Sequence, residues 1–258
     1  MNPPLGDRSG MAGASIPSND WLADFVPYSW QHVMSSSFFL GIIAVLVVLG
    51  LRWRGTTRER RFRLTWGCLA LATQSFELYW WCRPSAFLSS VSLPIHMCDL
   101  AAWFAVFCLL TEARIWQLLL FYVGIFLSSM AFFTPVISDG EGMGTLRYWL
   151  FFVGHTHIVG ASVYQVAVLG FRPTWRDFCI VVGLGINYVI VVAFLNVWIG
   201  SDANYGFLGS RERQPGVVLL LGAYPMRIVW MSLVVIALFA IATAIGRRRS
   251  PATLAQPS

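Results

Sequence analysis

Charge is what this chain has least of. Only 12% of its 258 residues are charged and 57% are hydrophobic, whereas soluble globular domains carry roughly 25% charged residues. A water-soluble enzyme or binding module of ordinary composition is therefore excluded, and a bilayer becomes the natural solvent. Lysine is missing altogether, since all 18 basic residues are arginine. Most of them sit in clusters at the ends of apolar runs, so the net charge of +6 reads as membrane topology and nucleic acid is not an expected partner.

Cysteine is sparse and irregular. Cys68, Cys82, Cys98, Cys108 and Cys179 are odd in number and lack CxxC spacing, which argues against a disulfide framework or a zinc motif. The first thirty residues hold Asp7, Arg8, Asp20 and Asp24, with no basic segment running into a hydrophobic core. A cleaved signal peptide fits poorly, and the first helix is expected to insert uncleaved. Internal repeats are absent, and the only low-complexity stretch is the polar tail Ser250 to Ser258.

What the chain does have is long apolar runs. At roughly 20 residues per spanning helix, they predict seven spans at about 29–51, 62–81, 93–111, 115–135, 148–170, 177–199 and 217–245. Arg52, Arg54, Arg58, Arg60, Arg61 and Arg63 stand between the first two runs against Glu59 alone, and the positive-inside bias makes that connection cytoplasmic. Arg172, Arg176 and Arg247 to Arg249 then fall inside as well, while the Asp139 to Glu141 loop and the Gly200 to Gly216 loop fall outside. The expected architecture is an all-α polytopic membrane bundle with its N-terminus outside and its C-terminus cytoplasmic. It divides into an extracytoplasmic segment 1–28, a transmembrane domain 29–245 and a tail 246–258, in a bacterial cytoplasmic membrane.

Ionisable groups inside a bilayer are costly, and each is a candidate for function. Here they share one depth. His32 lies near the outer end of the first span, Glu77 near that of the second, and His96, Cys98 and Asp99 open the third. His155 and His157 follow in the fifth span, and Arg227 enters the seventh from the outer side. The cytoplasmic half holds little besides Gln117, so an outward-facing polar pocket is expected.

Periodicity constrains who meets whom. His96 and Asp99, three apart, share a helix face, but Cys98 lies about 200° from His96, so a base for the thiol must come from another helix. His155 and His157 are also about 200° apart, and one of them is expected to face the interior. An adjacent imidazole can generate the thiolate nucleophile. The bland readings are that Cys98 is a small core hydrophobe or pairs with Cys82, and that the tryptophans are interfacial anchors.

Five stretches carry a family resemblance: SWQHV, LPIHMCDLAAW, LLFYVGIFLSSMAFFTP, FFVGHTHIVGASVY and LNVWIGSDANYGFLGSR. They resemble the YwaF-like family of bacterial multi-pass membrane proteins, which is similar to a eukaryotic group that includes an acyltransferase acting on ether phospholipids. The resemblance implies a Cys–His pair working on a lipid acyl group, the cysteine falling on Cys98 and the histidine on His155. Where the family reads F-x-S-H-G, this chain has Phe152-Val153-Gly154-His155-Thr156, with His157 as an additional candidate.

Two functions from different classes follow. One is a thiol-dependent lipid acyltransferase with Cys98 and His155 catalytic, and with His32, Glu77, His96, Asp99, His157 and Arg227 binding or orienting the substrate, Arg227 at a phosphate. The other is a solute transporter or membrane sensor using the same His, Asp and Glu cluster. A metal or haem bound by the four histidines is a third arrangement, but no metal-site spacing supports it and no cofactor is expected. Membrane lipids and a small-molecule or lipid substrate are the expected partners.

Overall fold

The computed structural model describes residues 22, 24–85, 87–137, 141–200, 202–210 and 216–248. Asp7, Arg8, Asp20, Asp139, Arg211, Glu212, Arg213, Pro215, Arg249 and the tail from Ser250 lie outside them. Seven α-helices and no strand are present among the described residues. They are α1 (Trp30–Arg52), α2 (Thr57–Cys82), α3 (Met97–Thr111), α4 (Arg114–Tyr122), α5 (Leu146–Ala167), α6 (Trp175–Ile199) and α7 (Met226–Arg248).

Capping sets where they begin. Ser29, Thr56, Thr145 and Thr174 each accept a bond from an amide three residues on, satisfying donors that the first turn leaves without an acceptor. The cap on Thr56 explains why α2 starts at Thr57, five residues before the expected apolar run, and takes Arg58 to Arg63 into the helix. At the opposite extreme, the segment expected to begin the last span folds as a 3-10 turn over Gly216–Leu221. Gly222, at φ +86°, and Pro225 separate it from α7, so the helix starts at Met226.

The expected fourth span is not a uniform helix. After Tyr122 the chain widens into a π turn over Val123–Leu127 and then tightens into a 3-10 turn over Ser128–Phe132. Gly124 lies against α5, where a methyl group would collide with Ser162 Oγ. Ser162 in turn donates to the Leu120 carbonyl across the two helices. An interruption of this kind changes which side chains face inward downstream of it.

Successive helices run in alternate directions, so the bundle has two ends. One is the arginine-rich end, where Arg63 of α2 meets Glu112 after α3 and Arg114 of α4 meets Asp177 of α6. The other carries the starts of α1, α3, α5 and α7. α5 is the internal helix, packed against α1, α2, α3 and α4, whereas α6 and α7 pack on each other and on α4 at one side. Four segments are long and apolar enough to cross a membrane: Trp30–Arg52, Arg114–Phe132, Trp175–Ile199 and Met226–Arg247. The other three differ for visible reasons. α2 begins in charged residues, α3 has 15 residues, and α5 bears its polar side chains in the interior, where they find partners.

Candidate functional site

The polar residues gather at the end opposite the arginines. α3 opens there with His96 as N-cap, Met97, Cys98 and Asp99. The Asp99 carboxylate accepts from the His96 amide at 3.0 Å, which fixes the first turn. The loop before it is pinned by α6 and the segment after it. Tyr188 donates to the Ile95 carbonyl at 2.9 Å, and the Tyr205 hydroxyl accepts from the Leu93 amide and donates to the Ser89 carbonyl. Asn196 holds Tyr205 through both its backbone groups, and the His96 ring lies against the Tyr205 ring with centroids 4.9 Å apart.

Around the Cys98 thiol stand groups from several segments. Asp99 adjoins it on the helix, Tyr188 of α6 holds the loop just before it, and the 3-10 turn that begins at Ser128 packs on α3. Ser128 is 1% exposed and its oxygen has no formed hydrogen bond. Glu77 of α2 packs on α5, its carboxylate 3.3 Å from where a Cβ on Gly154 would stand, and it interacts electrostatically with Asp99. Among the described residues no basic side chain pairs with Glu77 or Asp99.

The histidines are distributed. His155 is buried, with its Nδ1 hydrogen-bonded to the Phe151 carbonyl at 2.7 Å, which leaves Nε2 as its available nitrogen. No hydrogen bond joins it to Cys98. His157, on another side of α5, accepts from Trp66 Nε1 at 2.9 Å and lies 3.5 Å from Thr73 Oγ1. Both histidines therefore face protein, because α5 has neighbours on more than one side. His32 is buried with both nitrogens engaged, Nδ1 accepting from the Tyr28 amide and Nε2 donating to the Phe132 carbonyl at 3.0 Å. It ties the start of α1 to the end of the turn that carries Ser128.

Arg227 is not interfacial. It is 2% exposed, donates from Nη2 to the Gly209 carbonyl at 2.5 Å, and leaves Nε unpartnered. Among the described residues it has no carboxylate partner.

Two expectations change. Cys98 and Cys82 do not pair, since all five cysteines are free. The arginine-rich half is not poor in buried polarity either, for Arg63 bridges Glu59, the Leu109 carbonyl and Glu112, and Tyr164 donates to Glu59 at 2.8 Å. Sequence reasoning did not single out Tyr188 and Tyr205, which hold the loop before α3, or Ser128 in the turn packed on that helix. Each stands among apolar neighbours that hide it. No three His, Cys, Asp or Glu side chains converge as a metal site among the described residues.

A bundle of α-helices with four segments long and apolar enough to cross a membrane, large exposed apolar side chains on α6 and α7, and ionisable groups gathered at one end defines a helical membrane protein. The chain belongs to the TMEM164 family, whose model matches residues 27–243. No curated protein and no solved structure matches it.

Proposed function

We propose that this protein is a thiol-dependent lipid acyltransferase of a bacterial cytoplasmic membrane, with all seven helices spanning, the arginine-rich end cytoplasmic and the N-terminus outside. The observation that carries the reading is the position of Cys98. It is the second residue of α3, in the first turn, where amides lack an acceptor within the helix, at the end of a helix that packs on α2, α5 and the turn after α4. The thiol gives up its proton as attack occurs. His155 is the base, through Nε2.

In the first step His155 takes the thiol proton and Cys98 Sγ attacks the carbonyl carbon of a lipid acyl ester. The tetrahedral intermediate collapses, the C–O bond breaks, and the lipid alcohol leaves with the proton from His155. A second lipid hydroxyl then attacks the thioester, giving its proton to His155, and the thiolate departs and is reprotonated. No oxidant, metal or water is consumed. Arg227 holds a lipid phosphate, Glu77, His96 and Asp99 orient the acyl ester, and His32 and His157 orient the segments around it. The test is lipid analysis of cells expressing wild type or Cys98→Ala at equal membrane abundance. A change in acylated lipids that requires Cys98 supports the reading, and retention of it by Cys98→Ala overturns it.

A second reading has one observation in its favour, the two acids Glu77 and Asp99 without a basic partner among the described residues. In a solute transporter or sensor, Asp99→Asn and His155→Ala impair uptake or signalling while Cys98→Ala is tolerated.

A further inference from the structure

The arginine-rich end carries more positive charge than the fold itself uses. Three carboxylates stand there among the described residues, and each is already engaged: Glu59 by Arg63 and Tyr164, Glu112 by Arg63, and Asp177 by Arg114 and Thr174. Those contacts occupy only Arg63 and Arg114. Arg52, Arg54, Arg58, Arg60, Arg61 and Arg176 are exposed and have no ion-pair partner among the described residues. Five of these crowd between positions 52 and 61, and like charges so close repel. Their positive charge is left for an anion from outside the chain.

Three of the six also stand at the end of an exposed apolar stripe. Residues three or four apart share a helix face, so on α1 Arg52 continues the stripe of Val45 and Val48, which are 58% and 59% exposed. On α2 Arg61 heads the exposed stripe of Thr65, Cys68 and Leu69, and on α6 Arg176 heads that of Ile180 and Leu184. Trp53 and Trp175 adjoin two of these arginines, and amphipathic rings of this kind sit at headgroup depth. A free inorganic anion would use the charge and leave the stripes bare, whereas a phospholipid uses both. The planar guanidinium matches a phosphate with two parallel hydrogen bonds, and a zwitterionic headgroup brings its own cation, so a net negative one is favoured. We propose that the arginine-rich end binds anionic phospholipids of the leaflet it meets. Arg52, Arg61 and Arg176 each hold a headgroup phosphate while the acyl chains lie along the stripes, and Arg54, Arg58 and Arg60 add to the surrounding positive field. This surface is at the opposite end from Cys98 and stands independently of the acyl-transfer reading.

The test is native mass spectrometry of the purified full chain in a non-ionic detergent. Phosphatidylglycerol, phosphatidylcholine with the same acyl chains, and glycerol phosphate are each titrated in and the bound molecules counted. Wild type is expected to bind phosphatidylglycerol more tightly than phosphatidylcholine, and glycerol phosphate far more weakly than the whole anionic lipid. An arginine at an anionic membrane surface accounts for about fivefold in affinity, so Arg52→Gln, Arg61→Gln and Arg176→Gln are each expected to weaken phosphatidylglycerol binding by about that factor. The triple variant is expected to lose the preference while still binding phosphatidylcholine as wild type does, and Arg83→Gln, at the other end of α2, is expected to keep it. Equal binding of the two lipids by wild type overturns the proposal, as does a preference that survives the triple variant. A loss in Arg83→Gln as large as in the triple variant also overturns it, because net charge alone then decides. Glycerol phosphate bound as tightly as phosphatidylglycerol would make this a free-anion site and overturn the lipid assignment.

Discussion

The two ends of this bundle treat buried polar groups in opposite ways. At the arginine-rich end Arg63 meets Glu59, Glu112 and a helix-terminal carbonyl, Tyr164 meets Glu59, and Arg114 meets Asp177, which also caps α6 through Thr174. At the other end Ser128 and Arg227 keep polar atoms without partners, and neither Glu77 nor Asp99 has a basic partner among the described residues. Paired groups rigidify a fold, and unpaired ones are retained where a ligand or a reacting atom supplies what is missing. The separation is not complete, since Gln165 Nε2 is also unpartnered near the arginine-rich end. The lesson is that burial of charge locates the site only when it is read together with satisfaction.

Substitutions can break or sharpen that contrast. The largest effect is expected at Cys98: Cys98→Ala lowers lipid turnover to that of membranes without the protein, with its unfolding midpoint unchanged, as lipid analysis and thermal melting in micelles would show. Next comes Arg63→Met, which leaves Glu59 buried with only Tyr164 beside it. Losing one partner of a buried ion pair costs about 3–5 kcal/mol, visible as a lowered unfolding midpoint, while the folded fraction keeps Cys98 alkylation.

Gly124→Ala tests the link between the two regions. Its methyl collides with Ser162 Oγ, and overpacking of this kind costs about 1–3 kcal/mol. Because the collision pushes the π turn off α5, and that turn also packs on α3 where Cys98 stands, acyl transfer falls along with stability, and Ser162→Gly in the same chain recovers part of both. The smallest effect is expected from Arg114→Gln. Arg114 is half exposed and Asp177 keeps its bonds to Thr174, so the loss stays under about 1 kcal/mol. A large loss of turnover there would erase the distinction between the ends.

Much of this arrangement was legible before any coordinates. Continuous apolar runs placed α1, α6 and the body of α7 to within a few residues or a turn or two. The depth shared by Glu77, His96, Cys98, Asp99 and His155 pointed to the end where polar groups gather. Three things were not legible, each for a physical reason. The stretch from Tyr122 to Phe132 is apolar with two serines, and neither the π turn nor the direction of Ser128 leaves a mark in hydropathy. Glu59 and Arg63 read as charges of the cytoplasmic connection between the first two runs because helix capping by Thr56 and burial against α3 and α5 are tertiary facts. The 200° between His155 and His157 separated their faces correctly but could not reveal that α5 is internal, so that both faces have protein against them. Arg227 sits two residues past a proline at a helix start, a position that reads as interfacial until Gly209 is seen to cover it.

The most direct test of the account is intact-protein mass spectrometry of the purified chain after brief incubation with vesicles of a phospholipid whose ester-linked acyl chain is isotopically labelled. The account predicts one added acyl group on wild type, released by hydroxylamine as a thioester is, and none on Cys98→Ala. An unmodified wild type, or an adduct that persists in Cys98→Ala, would contradict it.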